Sequence, residues 1–361
     1  MNGEYQGWIT TLIFLMIFLL MFTNLGQRIQ LMFMLSNLKS KLRILERLSS
    51  SALARAEKLL SSRGSKNPKQ LLNRLTEYFI IEPVSIEPID IIKRLDHILN
   101  IRRRTYRGFL EKDLTVESKH ELLNIEAFVE VSSALKSIYK IVRHLILLGE
   151  KTGNLIIVMQ LSYFMPQILR IAQAYYNALD ALEKGVPIGD GVGPLVASLL
   201  SMGRPRKTIS EDTVMTEVDI KGRKLIVIKA EGPGASVGKP GEALEKIVEK
   251  LGGRVTKIIT VDAAVKYEGE KTGEVAEGVG AAIGDPGPEK IRIERVAVKY
   301  NIPLEAIIIK ISQEEAVQPM KKEIVDAARR AAEMIKTKIV NELKKGELAI
   351  LAGIGNTIGI V

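Results

Sequence analysis

The sequence of 361 residues has no cysteine, so a disulfide framework and thiol chemistry are both excluded. Histidine is nearly as scarce: His97, His120 and His144 are isolated, no pair stands at i, i+4 ligand spacing, and none follows His144. They read as ordinary helix residues. No charged residue occurs between Tyr5 and Gln27. A complete phosphate-binding loop is also lacking. The stretch "RKLIVIKAEGPGASVGKPGEALEKIVEKLGG", Arg223 to Gly253, has the plan strand, glycine-rich loop, helix. A P-loop needs G-x-x-x-x-G-K-[ST], with the final hydroxyl on magnesium. Pro233 stands where the first glycine should be, and Pro240, with neither hydroxyl nor N–H, comes after Lys239. The stretch reads instead as a tight βα connection whose glycines serve geometry.

Charge is present but unevenly placed. The net charge is +10, and Gln27 to Leu110 carries 17 Lys and Arg against 7 Asp and Glu. The whole excess therefore stands beside the uncharged segment "WITTLIFLMIFLLMFTNLG", Trp8 to Gly26. That segment has about the length a helix needs to cross a bilayer. A signal peptide would have a basic start, a shorter apolar core and a small-residue cleavage site, so the segment reads as a retained anchor. Trp8 and Tyr5 fall at the outer interface, and Arg28, Lys39, Lys41 and Arg43 place the rest in the cytoplasm by the positive-inside rule. The expectation is a single-pass protein of the cell membrane. The basic segment has three readings: a bed for anionic headgroups, a nucleic-acid site around Arg102, Arg103, Arg104, Tyr106 and Arg107, or a solvated helix face. No nucleic-acid motif surrounds the cluster, and nucleic acid is not expected as a partner.

The chain divides by composition into an anchor (1–26), an amphipathic helical stalk and linker (27–70), a helical domain (71–185) and an α/β domain (186–361). The stalk places Leu38, Leu42, Leu45 and Leu48 at helical spacing, and "SSRGSKNPKQ" reads as the linker. Pro83 and Pro88 interrupt the helical part, and Pro166 marks a helix start or kink. "LILLGEKTGNLIIVMQLSYFMPQIL" reads as core rather than a second span, because Glu150 and Lys151 interrupt it.

After Gly185, strand and helix patterns alternate. Strands are expected at Leu225–Lys229, Lys257–Val261, Arg292–Val296, Ala306–Ile311 and Leu348–Leu351. Helices are expected at Pro194–Met202, Glu242–Leu251, Glu289–Tyr300 (competing with the strand there) and Gln318–Lys344. An edge hairpin falls between "SMGRPRKTIS" and "DIKG". The alternation indicates a mainly parallel sheet covered by helices. In such sheets ligands bind beyond the carboxyl ends of the strands. Asp262 stands there, past the strand at 258–261, before a glycine-rich loop with Glu268, Glu270, Lys271, Thr272, Glu277 and Asp285. Asp190 lies between Gly189 and Gly191 before a helix, where an acid can accept N–H bonds from the helix start. A third strand runs into "GIGNT", which contains Asn356. The βα loop adds Glu231, Gly234, Ser236 and Lys239 as ligand-binding residues.

"GDGVGPLVAS", "GPGASVGKPGE", "VDAAVKYEGEKTGEVAEGVG" and "GIGNT" make the whole chain resemble an archaeal membrane-protein family catalogued as domain of unknown function 1512. More distantly, residues 186–315 resemble the spore germination protease and the hydrogenase maturation endopeptidases. "GDGVGPL" is similar to their first acidic motif and "IITVDAA" to their second. The resemblance implies a phosphorylase/hydrolase-like fold and an acid pair, Asp190 and Asp262, acting on a peptide. These two residues would also hold any divalent metal. The metal-binding histidine of the maturation endopeptidases has no counterpart here. Their G-x-G-N is met only at "GIGNT", which implies a circular permutation that brings Asn356 beside Asp190. Two carboxylates can share a proton as acid and base, and Lys239, Lys266 or Lys271 can oppose a developing oxyanion. The other expectation is a membrane-tethered module that binds a ligand or metal without turnover.

Overall fold

The computed structural model describes residues 2–22, 24–81, 83, 90–284 and 287–361. Pro88 and Asp285 lie outside the described residues. The described chain divides into two units, one of Met1–Leu53 and Ser133–Gln173, the other of Ala54–Ser132 and Ala174–Val361.

The first unit is helical. It holds α1 (Asn2–Phe22), the first part of α2 (Asn24–Ser62), the second part of α5 (Lys119–Thr152) and the first part of α6 (Leu155–Lys184). The heptad-like leucines of α2 behave as their spacing dictates, with Leu38 and Leu45 buried and Leu42 and Leu48 half-buried. Lys39 reaches Glu150 at 2.6 Å, and the Tyr139 hydroxyl donates to Glu46 at 3.2 Å. On α1, Trp8, Leu12, Phe14 and Met16 are exposed. Among the described residues, Leu155–Lys184 is long and apolar enough to cross a membrane, whereas α1 contains only the shorter apolar stretch Gly7–Met16. The reading of 145–169 purely as core needs correcting. Val158, Leu161 and Met165 are buried, but Ile156, Met159, Tyr163 and Phe164 are exposed, so α6 has two apolar faces and only one is covered. Pro166 lies inside α6, which starts at Leu155.

The second unit adds α3 (Pro68–Thr76), α4 (Ile91–Asp113), a 3-10 turn (Gly189–Gly191), α7 (Val192–Ser201), β1 (Lys207–Ser210), β2 (Thr213–Ile220) and β3 (Arg223–Ala230). It continues with α8 (Pro240–Lys250), β4 (Lys257–Val265), β5 (Val275–Val279), α9 (Pro288–Lys299), β6 (Leu304–Ile311), α10 (Gln313–Val317), α11 (Lys322–Glu342) and β7 (Leu348–Gly353). The sheet is mixed, in the order β1-β2-β3-β7-β4-β6-β5. Four parallel strands, β3, β7, β4 and β6, form its centre, and the strands outside them are antiparallel.

Alternation along β3 explains the layers. Leu225 and Val227 face α7 and α11, while Ile226 and Ile228 face α8 and α9. The segment 289–300 is helical, because Ile293, Val296 and Ala297 share one buried face at helical spacing. The strand reading of Arg292–Val296 is thereby overturned. β7 runs between β3 and β4, so the last strand of the chain completes the sheet from its middle.

Candidate functional site

The site lies where the ladder runs out. β4 pairs with β7 only as far as Val261 opposite Gly353, but continues beside β6 to Val265. Asp262 is therefore inside β4, not past it, yet it is the first residue of β4 beyond the end of β7. The helices after β4 and β3 lie on one face of the sheet and α7 lies on the other, so Asp262 stands at a strand end, the position at which α/β sheets bind ligands.

Three close backbone approaches bring α7 and the segment after β7 together at this strand end. A Cβ on Gly193 would lie 2.2 Å from the Ile354 carbonyl oxygen and 2.4 Å from that of Val261. Only glycine therefore lets α7 start against the two strand ends. A Cβ on Gly355, whose φ is +130°, would lie 2.0 Å from the Asp190 carbonyl oxygen. These contacts put Asp190 against the segment leaving β7, and the Asn356 N–H donates to Asp190 Oδ2 at 2.8 Å. Asp190 does not cap the helix after it, as its position in the sequence suggested. The N–H it accepts comes from the far end of the chain.

Asp262 accepts from the N–H of Ala263 at 2.7 Å and of Gly284 at 3.1 Å. Both carboxyls are held above the ordinary carboxylate range. Burial is the main cause for each, opposed at Asp190 by the Asn356 N–H. At Asp262 the negative charge of Asp190 adds to burial and outweighs the two backbone donors, which holds its carboxyl well above the range. The charge of Asp190 thus reaches Asp262, and no described cation is among the causes of either shift. Asp190 still touches solvent while Asp262 is almost fully enclosed. A divalent cation would find these two carboxylates, but among the described residues no group of three or more His, Asp or Glu converges as ligands.

The βα loop forms the next wall. The Thr357 hydroxyl and N–H reach the carbonyl of Ser236 at 3.0 and 2.9 Å, and its hydroxyl also lies 2.9 Å from the carbonyl of Gly234. The Asn124 side chain accepts the Ala235 N–H at 2.9 Å. No phosphate cradle exists at α8, because Glu289 already accepts the N–H groups of Gly241 and Glu242 there, at 2.6 and 3.1 Å. Ser236 and Asn356 line a cleft of about 320 Å³, together with α4 and α5.

The remaining expected site residues lie in other surroundings. Gly189 packs on the backbone of Glu315, and Gly191 on the carbonyl of Asn356. Glu231 pairs with Lys119 at 3.1 Å. Lys239 is buried between Glu211 at 3.0 Å and Glu242 at 3.6 Å. Lys266 donates to Thr272, whose hydroxyl faces the Glu315 carboxylate at 2.9 Å. Glu268 and Lys271 are exposed. Glu277 is on edge strand β5 rather than in a loop, paired with Lys338 at 2.7 Å. None of the three lysines is among the causes of either aspartate's shift.

One feature escaped the sequence, and a second was read there only as a basic cluster. Lys229 is buried at the end of β3, and burial lowers its pKa to about 8 with help from Arg206, while its ammonium donates to the carbonyl of Ala230 at 3.0 Å. Arginines of α4 line the cleft, and the only signal for them was their density.

Among curated proteins, none matches this chain significantly. Two family models do match, a "Protein of unknown function (DUF1512) N-terminal domain" over residues 12–185 and a "Domain of unknown function (DUF1512) C-terminal" over residues 188–361. The site of Asp190, Asp262 and Asn356 lies wholly within the second match, and with both halves matched the chain belongs to the DUF1512 family.

Proposed function

We infer that the protein is a peptidase-like hydrolase in which Asp190 and Asp262 share one proton. The observation that carries this reading is the pair itself: two carboxyls at a strand end, both raised by burial and one also by the charge of the other. Asp262, the more enclosed, holds the proton and gives it to the reacting carbonyl or leaving group. Asp190, steadied by the Asn356 N–H, takes a proton from the attacking water. The resemblance to the germination protease and the hydrogenase maturation endopeptidases supports the same assignment. A circular permutation accounts for an acidic motif at 189–194 and a G-x-G-N motif at 353–356 meeting at one place. A divalent metal, if one assists, would sit on Asp190 and Asp262. The test is turnover of a peptide library by the full chain. Asp262→Asn should keep the fold and lose about a hundred- to ten-thousandfold in rate, as removal of a catalytic acid does. Unchanged turnover in Asp262→Asn would exclude the acid pair.

A second reading is favoured by the two backbone donors on Asp262, which also suit a purely binding or scaffold role. In that case a ligand or metal raises the melting temperature saturably and no product forms from any peptide. Either way we place the protein at a membrane through residues 1–26, since α1 exposes Trp8, Leu12, Phe14 and Met16. Deleting 1–26 should release the chain from alkaline-washed membranes. Retention in the pellet would move the anchor elsewhere, with α6 as the alternative.

A further inference from the structure

The cleft beside Asn356 holds an arrangement the acid pair does not use. Three arginines of α4 line it. Arg102 is matched to Glu130 at 2.9 Å, and Arg107 to Glu126 at 3.1 Å and Asp212 at 3.2 Å. Arg103 is half-buried, and among the described residues no carboxylate forms a salt bridge with it, although its charge reaches Glu126. Two further donors line the same cleft. The Asn356 Oδ1 accepts the Ile358 N–H at 2.9 Å. That bond fixes the orientation of the amide and leaves its NH2 without a partner among the described residues. The Ser236 Oγ accepts the Gly238 N–H at 3.1 Å, so its own proton remains to be given.

We propose that this cleft binds a carboxylate, the C-terminal carboxylate of a short peptide, through Arg103, Asn356 Nδ2 and Ser236 Oγ. The proposal rests on the hydrolase reading for the fate of the bound peptide, but not for the binding itself. The charge balance selects the anion. Glu126, Glu130 and Asp212 also line the cleft, and their three charges are matched by Arg102, Arg107 and Lys119, which reaches Asp212 from outside the lining, so that Arg103 is left for one further negative charge. A dianionic phosphate would meet those carboxylates with its second charge uncompensated. A planar guanidinium matches a carboxylate in two parallel bonds. Leu99, Leu123 and Val237 supply an apolar wall, and about 320 Å³ is at the small end of ligand pockets, suited to one or two residues. Asn356 joins the two sites, its N–H on Asp190 and its amide in the cleft.

Calorimetry on the full chain, wild-type and Asp262→Asn, tests this with three probes: N-acetyl-dialanine as the free acid, the same dipeptide as its amide, and inorganic phosphate. The free acid should bind about tenfold or more tightly than the amide, the difference one charge-assisted contact makes. Arg103→Gln should abolish that preference, and Arg103→Lys should restore part of it, with melting temperatures confirming that both variants fold. Equal binding of acid and amide, no binding of either, or a preference that survives Arg103→Gln would overturn the proposal, and so would phosphate binding more tightly than the acid. If the preference is present but no peptide is turned over by the wild-type protein, the carboxylate site stands and the hydrolase reading falls.

Discussion

At the residue scale, chemistry depends on surroundings that a sequence does not write down. Asp190 and Asp262 were legible, because Asp190 stands between two glycines before an apolar helix and Asp262 ends an apolar run. Their mutual effect was not, since it depends on the segment after β7, whose Asn356 N–H holds Asp190. Lys229 was illegible for a related reason. It reads as the polar end of a strand, but the sheet encloses it. Its pKa of about 8 against an ordinary 10.5 makes a prediction of definite sign. Between those two values the unfolded chain binds the proton and the folded chain does not, so stability from this group rises with pH across that window. Lys229→Met should remove the rise and stabilise the protein at pH 7 by about 1–3 kcal/mol, since an enclosed charge is replaced by an apolar side chain of similar length. Denaturant melts at pH 7 and pH 10 measure both effects. Equal stability of the two proteins at pH 7 would mean that the ammonium is fully compensated by the carbonyls it meets.

At the element scale, the strands with uniform apolar runs were readable to within a few residues. β4 is longer than its apolar run because β6 keeps pairing with it through Asp262 and on to Val265. β5 was hidden, since "VAEGV" has the glycine and glutamate of a loop and becomes a strand only by lying along β6. The segment 289–300 fitted both periods, and burial of Ile293, Val296 and Ala297 by α8 and the sheet decided it. α7 supplies the sharpest test of the site. Alanine in place of a helical glycine normally adds about 0.5–1 kcal/mol of stability. At Gly193 a Cβ would enter the space of two strand-end carbonyls, so Gly193→Ala should instead cost about 2–4 kcal/mol. Thermal melts decide between opposite signs. Stabilisation by Gly193→Ala would mean that α7 does not start against β7 and β4.

At the scale of the whole molecule, chain order and spatial order disagree. The sequence shows a strand at the terminus, and only the sheet shows that it belongs in the centre, between β3 and β4. The site cannot exist until the last residues are in place, because Asn356 and Thr357 fix Asp190 and the βα loop. Deleting residues 347–361 should therefore remove amide-exchange protection from β3 and β4 together, whereas loss of an edge strand would fray only its neighbour. Protection of β4 in the truncated chain would contradict the central place of β7.

The hydrolase reading depends on Asp190 and Asp262 acting as one pair, and the direct measurement is a carboxyl titration by NMR of the full chain with labelled aspartate. The Asp262 carboxyl should titrate well above its ordinary 3.8, and Asp190→Asn should bring it down, because the neighbouring charge is gone while burial remains. The folded state would then hold a proton that the unfolded chain releases, and stability would fall as pH rises from the ordinary carboxylate range through the raised value. An Asp262 that titrates in the ordinary range, or one that ignores the loss of Asp190, would contradict the pair and the hydrolase built on it.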